Sequence, residues 1–397
     1  MHPSTSSRLA AIDGLRALTM LLMIWVNDFW TLSHIPVWLG HAAAQDDAMG
    51  LSDVVFPAFL FIVGLSLPFA VDARRQRGDG AWTLSGHVLS RSVALLLMGV
   101  CHVNLETYAD TLAWLPKPVW QVGITLAFFL IWLDYPADWS ARWRRGLQAG
   151  GWVLLAVLAA LYRGGTVSEP SWLTPQWWGI LGLIGWAYLS AGLLLIALGE
   201  RLWALLVSWL ALMLFGIGVH AGYLAWLEPL RTWVWPAENG AMAAIAMAGV
   251  CTVVLYRQHH ACGRTVRSLG VLLLAAAVLL ALGLALRPLG GLSKIRATPA
   301  WVLVCTGISM LAFAALAWLM DVRQRRDWLQ PLRPAGTSTL TCYLLPYLLY
   351  PLLIATGLAL PDWLLRGGVG LLKSMLFALA VVWLTGLLAR YRLRLRL

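Results

Sequence analysis

Residues 52–77 read S-D-V-V-F-P-A-F-L-F-I-V-G-L-S-L-P-F-A-V-D-A-R-R-Q-R. One acid, Asp53, stands near the start, an uncharged apolar run extends from Val54 to Val71, and Arg74, Arg75 and Arg77 close the stretch. A bilayer core about 30 Å thick needs roughly 20 apolar residues of helix to cross it. This stretch supplies one crossing, and the arginines mark the side on which it ends. Working outward, comparable runs fall near 13–31, 89–105, 118–133, 147–162, 178–198, 202–219, 240–256, 269–286, 299–320, 336–357 and 369–389. The fold class is therefore all-α, a polytopic transmembrane bundle of about 12 spans (10–12).

Composition agrees. Of the 397 residues, 60% are hydrophobic and 12% charged, about half the charged share of a soluble domain. The apolar surplus runs along the whole chain, which excludes a soluble globular protein. The net charge of +11 would raise nucleic acid as a partner for a soluble protein. Here the basic residues gather in Arg74, Arg75 and Arg77, then Arg142, Arg144 and Arg145, then Arg323, Arg325 and Arg326, then Arg390, Arg392, Arg394 and Arg396. All four groups fall on one side of the alternating spans, and Lys373 lies within the last one. The positive-inside rule puts that side, with both chain termini, in the cytoplasm. The charge encodes topology, and no nucleic-acid partner is expected. The start of the chain lacks a short apolar core followed by a small-residue cleavage site, so the first span is expected to stay as a mature helix.

Among the 24 Trp, Trp30, Trp38, Trp114, Trp120, Trp177, Trp178, Trp233 and Trp235 fall where helices should meet the interface, a zone that suits a ring with one polar edge. Pro57 and Pro68 suggest a kink in the second span. Gly64, Gly182, Gly185, Gly283 and Gly307 would let helices approach closely. Cys101, Cys251, Cys262, Cys305 and Cys342 show neither CxxC nor Cys/His spacing, so neither a disulfide framework nor a metal site is expected.

Polar groups at membrane depth are costly, so their clustering is informative. The first span runs from R-L-A-A-I-D-G-L-R-A to M-I-W-V-N-D-F-W and ends in Asn27 and Asp28. An external loop follows with His34, His41, Asp46 and Asp47 and no Lys or Arg, and Asp53 opens the second span. The third span ends L-L-M-G-V-C-H-V-N-L-E, bringing His102, Asn104 and Glu106 to the same side. Imidazoles, carboxylates and amides together suit proton transfer. A His can take a proton from an attacking amine or hydroxyl while a carboxylate holds its tautomer. His41 is the candidate base, with Asp47 or Asp53 as orienting partner, and Asn27 can donate to a developing oxyanion. Asp28, Asp46, His34, His102, Asn104 and Glu106 are candidate substrate-binding groups. Several polar residues have a plainer reading. Asp53 caps a helix, His34 sits in a Trp-rich interface, His102 bonds a neighbouring helix, Asp13 and Arg16 pair one turn apart, and His259 and His260 are solvated in a basic loop.

The segments R-L-A-A-I-D-G-L-R-A-L-T-M-L-L-M-I-W-V-N, D-V-V-F-P-A-F-L-F-I-V-G-L-S and R-S-V-A-L-L-L-M-G-V-C-H-V-N resemble the opening of the transmembrane acetyltransferases. That family includes heparan-alpha-glucosaminide N-acetyltransferase and its bacterial relatives. The later P-L-R-P-A-G-T-S-T-L-T-C-Y-L-L-P is similar to the family's penultimate helix. W-L-G-H and D-A-M-G-L-S-D look closest to the bacterial NagX-type inner-membrane proteins. The resemblance covers roughly the first 105 residues and the region near 330–350. It implies transfer of acetyl from cytoplasmic acetyl-CoA to an amino sugar or glycan fragment at the external face of a bacterial inner membrane. Asn27 and Asp53 match family positions, and His41 is the nearest counterpart of the family's catalytic histidine. In this chain Trp38 precedes His41, Asp46 and Asp47 stand in place of W-N, and Thr337-Ser338 stands where Asn is commoner.

On this reading residues 1–397 form one membrane acyltransferase domain, with 1–110 as its catalytic helices and loop. The phosphates of acetyl-CoA fall to Arg16, Arg74, Arg75 and Arg91, whose planar forks suit them. A homodimer is a family-level expectation, and no metal is implied. Two other functions stay open: a transporter of N-acetylglucosamine or related sugars, and an O-acyltransferase acting on cell-wall or lipid-linked sugars.

Overall fold

A computed structural model describes residues 9–234, 236–357 and 360–397; Trp235, expected at an interface, lies outside the described residues. Twelve long helices occupy the twelve expected positions: α1 (Ala10–Asn27), α2 (Ser52–Arg75), α3 (Ala81–Val103), α4 (Lys117–Trp132), α5 (Ala141–Leu161), α6 (Ile180–Leu198), α7 (Leu202–His220), α8 (Ala241–Ala261), α9 (Thr265–Ala285), α10 (Pro299–Leu316), α11 (Thr339–Ala355) and α12 (Gly367–Arg390). The protein is an all-α, multi-pass membrane bundle. Among the described residues nine helices are long and apolar enough to cross a bilayer, and the bent pair Asp327–Thr337 and Thr339–Ala355 makes a tenth if it is one broken span and not a re-entrant loop. At 16 residues α4 is short for a crossing, and the first five residues of α5 include three arginines.

Contacts divide the chain into two compact units. The first comprises Met1–Thr19, Pro36–Val93 and Leu183–Gln330, the second Met20–Ile35, Ala94–Gly182 and Pro331–Leu397.

In the first unit α2, α8 and α10 pack on one another, with α7 against α8 and α9 against α10. Glycines permit this. A Cβ on Gly64 would collide with the carbonyl of Ala246, and one on Gly249 with that of Phe61, so the α2 and α8 backbones touch. Gly283 and Gly307 play the same part where α9 meets α10. Asp321 accepts the N–H groups of Ala10 and Ala11 at 3.1 and 3.4 Å, satisfying donors that the first turn of α1 leaves open. Pro57 and Pro68, where a kink was expected, both lie inside α2, which continues through them as one helix. A sharp bend, 71°, falls at Ser338 in the second unit.

The second unit packs α4 against α5 and α11, and α11 against α12. Trp120 belongs to this core and not to an interface: it is fully buried, and its Nε1–H donates to the carbonyl of Leu158 at 2.8 Å. Its ring lies against Tyr108 and Tyr162. Trp30, Trp38, Trp114, Trp178 and Trp233 are exposed as expected, while Trp177 is half-buried. All five cysteines are free thiols, and four are buried.

Candidate active site

In the first unit the loop that follows Leu39 returns on itself before α2. The N–H of Leu51 donates to the carbonyl of Trp38 at 2.8 Å, and the Ser52 hydroxyl to that of Leu39 at 2.6 Å. Gly50 lies so close to the carbonyl of Gly40 that a Cβ would collide with it. The closed loop carries His41 over the first turn of α2, where Asp53 points back. His41 Nδ1 lies 2.6 Å from Asp53 Oδ1. Asp53 Oδ2 accepts the N–H groups of Ala42 and Gly50, each at 3.0 Å. With two backbone donors on one oxygen the carboxylate acts as acceptor throughout, so Nδ1 holds the proton and Nε2 keeps its lone pair. Among the described residues Nε2 has no hydrogen-bond partner. The Asp53 side chain is 2% exposed and that of His41 50%. One member of the pair is sealed and the other opens outward.

Trp301, fully buried on α10, donates its Nε1–H to the main-chain carbonyl of Asp53 at 3.1 Å. This fixes the turn that carries the carboxylate. Asp47, the other carboxylate considered for orienting His41, pairs with Arg287 at 2.9 Å and accepts the N–H of Leu292 at 2.7 Å. It clips the His41 loop to the connection between α9 and α10. The Arg287 hydrogen bond, and after it that of Leu292, hold its carboxyl below the usual carboxylate range. Thr298 caps α10 and bonds the carbonyl of Gly291 at 2.8 Å, and Ser293 donates to the carbonyl of Ala44 at 3.3 Å. Between these ties the half-buried Lys294 is delivered with Nζ 3.4 Å from His41 Nδ1. Because Nδ1 is committed to Asp53, Lys294 adds charge beside the imidazole more than a hydrogen bond. Burial pushes the Lys294 ammonium down, and the Asp53 charge opposes this.

Of the remaining residues in this unit, Asp46 is exposed and its carboxylate accepts the N–H of Ala43 at 3.3 Å. Arg16 pairs with Asp13 at 3.0 Å and donates to Ser66 at 2.6 Å. Arg74 pairs with Asp79 at 3.2 Å, Arg91 lies over the Tyr188 ring at 4.9 Å, and Arg75 is exposed. Three of the four arginines assigned to coenzyme phosphates are thus already engaged within the chain. His259 bonds the carbonyl of Leu255 and His260 the Thr265 hydroxyl, local contacts at a helix end.

The second unit holds Asn27, Asp28, His34, His102, Asn104 and Glu106. Asn27, His34 and Glu106 are exposed. Asp28 is not open to a ligand: its carboxylate accepts from Lys373 at 2.7 Å, from Ser374 at 2.6 Å and from the Tyr350 hydroxyl. His102 and Asn104 are both buried, so neither opens to a ligand from where it stands. Asn104 ties the end of α3 to Thr174, donating to its carbonyl at 2.9 Å and accepting its N–H at 3.2 Å. His102 stacks on Tyr347 at 3.9 Å with Phe128 at its edge, and both its ring nitrogens are enclosed without a partner among the described residues. The bond to a neighbouring helix that its plainer reading anticipated is not made.

Lys294, Arg287 and Trp301 were not singled out in the sequence. They lie some 240–250 residues from the loop they support, and no local pattern marks them.

No family model matches the chain. It is 31% identical over 130 residues to heparan-alpha-glucosaminide N-acetyltransferase of Mus musculus, covering 31% of this chain and 18% of that protein. To the human enzyme of the same name it is 29% identical over 126 residues, covering 30% and 18%. The chain thus spans under a fifth of the length of the curated relatives it matches.

Proposed function

We propose that this protein is a membrane acetyltransferase that takes acetyl from cytoplasmic acetyl-CoA and delivers it to an amino sugar or related glycan fragment at the extracytoplasmic face of a bacterial inner membrane. The observation that carries the reading is the His41–Asp53 pair: an outward-facing imidazole whose Nδ1 is held at 2.6 Å by a sealed carboxylate. The partial similarity to two N-acetyltransferases supports the same chemistry. Kinship to NagX-type proteins and the 1–110 segment as catalytic region belong to this proposal too.

His41 Nε2 takes the proton of the acceptor amine as its nitrogen bonds to the thioester carbonyl carbon. The C–S bond then breaks, and the same proton passes from the imidazolium to the departing sulfur. Asp53 keeps the ring in the tautomer that leaves Nε2 free and stabilises the imidazolium while it exists. Lys294 sets a positive charge beside the ring, which favours negative charge developing on the acyl oxygen. Asp47, through Arg287 and Leu292, holds the loop in register with Lys294. Arg75, exposed at the basic end of α2, is available to the coenzyme phosphates.

The test uses purified protein in detergent with acetyl-CoA labelled in its acetyl group, supplied with glucosamine and short amino-sugar glycans. Label should move to the acceptor in the parent and not in His41→Ala. Coenzyme binding without transfer to any acceptor in the panel would reject the acceptor class. No coenzyme binding at all would reject the acetyltransferase. The transporter reading draws on one observation, the enclosed Asp28–Lys373 pair, because intramembrane ion pairs often mark transport pathways; uptake of labelled N-acetylglucosamine into proteoliposomes separates the two.

A further inference from the structure

A concavity of about 410 Å³ opens in the second unit where α4 ends, α5 begins and the chain returns after α12. The returning strand is fixed there. Leu395 bridges Leu133, the N–H of Asp134 donates to the carbonyl of Arg394 at 2.8 Å, and the N–H of Arg396 to that of Trp132 at 2.9 Å. The walls include Asp134, Tyr135, Arg144, Arg145, Gln148 and Arg396. Its one carboxylate is already engaged: Asp134 Oδ2 accepts from Arg394 Nε and Nη2 at 3.0 and 2.8 Å, and Arg396 stands 3.6 Å from Oδ1. No acid among the described residues pairs with Arg144 or Arg145.

One atom shows that this is more than a solvated basic patch. Arg144 Nε is enclosed, yet it has no hydrogen-bond partner among the described residues. Positive-inside anchoring explains arginines that reach into water. It does not explain a guanidinium N–H shut away from water without an acceptor, an arrangement costly enough that such groups are normally satisfied. A ligand that would accept from this N–H and also suit three guanidinium groups is anionic and presents several oxygens. A phosphate ester does both, since arginine forks meet phosphate oxygens in pairs. The first turn of α5, capped by Ser140 through the Trp143 N–H at 3.3 Å, adds the favourable end of a helix dipole. Trp139 and Trp143, which flank the lining residue Ala141 in the sequence, are 45% and 71% exposed, as side chains at headgroup depth are. Basic pockets between helices on the cytoplasmic side suit anionic lipid headgroups.

We propose that this pocket binds a phosphate ester through Arg144, Arg145 and Arg396. The same chemistry is offered by a phospholipid headgroup and by the phosphates of a nucleotide coenzyme, and the exposed tryptophans favour the headgroup. The inference stands independently of the acetyltransferase reading.

Full-length protein in nanodiscs of phosphatidylcholine with graded phosphatidylglycerol, and separately with added coenzyme A, would be examined by native mass spectrometry. Arg144→Gln with Arg145→Gln is expected to weaken retention of one probe at least tenfold, and the probe affected names the source. Arg144→Lys, which keeps the charge and removes Nε, should weaken it several-fold. Removing equal charge outside the pocket, with Arg142→Gln and Arg325→Gln, should leave retention within twofold. If the double variant fails to fold, Arg396→Gln on the returning strand reads the same site. Retention unchanged by every pocket variant, or lost equally with the outside pair, overturns the proposal.

Discussion

Two buried carboxylates invite comparison. Asp53 in the first unit and Asp28 in the second each have a side chain only 2% exposed, and each accepts from more than one donor. Their partners differ. Asp53 faces an imidazole that is half exposed, with one nitrogen still free. Asp28 faces Lys373, Ser374 and Tyr350, all turned inward upon it, with Lys373 also donating to Thr31 at 2.9 Å. A buried acid becomes useful for chemistry when its partner can still reach a third molecule. When every partner is spent on the acid, the arrangement holds helices together.

That contrast can be broken most directly at His41. Replacement by Ala should reduce acetyl transfer about 10²–10⁴-fold, the usual worth of a positioned general base. The same change should cost stability only about 1 kcal/mol, because Ala42 and Gly50 still donate to Asp53. Asp53→Asn should come within tenfold of that activity loss, since an amide no longer enforces the tautomer. Label transfer and a thermal melt measure both halves.

The reverse pattern is expected at Asp28. Asp28→Ala leaves the Lys373 ammonium enclosed without its counter-charge, at a cost of about 3–5 kcal/mol. Asp28→Asn combined with Lys373→Met should recover most of it. If Asp28→Ala melted like the parent yet lost all transfer, the comparison would fail, and Asp28 would join the chemistry.

A smaller effect sharpens the first site. Lys294→Met should lower the rate about 5–30-fold, equivalent to 1–2 kcal/mol. Burial depresses the Lys294 ammonium, so it loses its proton at a pH below the ordinary lysine value of about 10.4. Activity of the parent should fall on the alkaline side as that charge disappears, and Lys294→Met should lack this limb. An identical alkaline limb in both proteins would remove Lys294 from the mechanism.

Smallest should be Asp47→Asn, a few-fold loss through a less well-held loop. The Asp47 carboxyl is held below its ordinary range by Arg287 and Leu292. Its contribution is therefore complete above about pH 4 and lost only as pH falls through the lowered value. In Asp47→Asn the acid-side loss of loop order should vanish, which proton exchange at the Leu292 amide can follow.

Much of the architecture was legible because hydrophobic runs and arginine clusters are local signals. Every helix lies where its apolar run predicted. Trp120 misled because its ring serves equally well at an interface or in a core, and only the Leu158 carbonyl 38 residues away decides between them. The 71° bend at Ser338 was missed because Pro331 and Pro334, just upstream, lie within helical turns and mark no boundary by themselves. Within the site, His41 and Asp53 were visible as a pair twelve residues apart. The choice between Asp53 and Asp47 as partner was not, since it depends on Arg287 taking Asp47 from 240 residues away. His102 and Asn104 were legible as polar groups near a helix end, but their burial depends on Tyr347 and Thr174.

The backbone contact of α2 with α8 at Gly64 and Gly249 has a consequence in time as well as in space. Two helices whose main chains touch interlock closely, so one does not readily slide along the other and the pair moves as a body. Asp53 rides on the first turn of that body, whereas His41 rides on a loop, a class of segment that moves on nanosecond-to-microsecond scales. The carboxylate is thus the still point, and the imidazole is what travels. Any turnover limit set by motion rather than by bond making belongs to the eleven residues from Gly40 to Gly50, and deuterium uptake there, compared with α2, should register it.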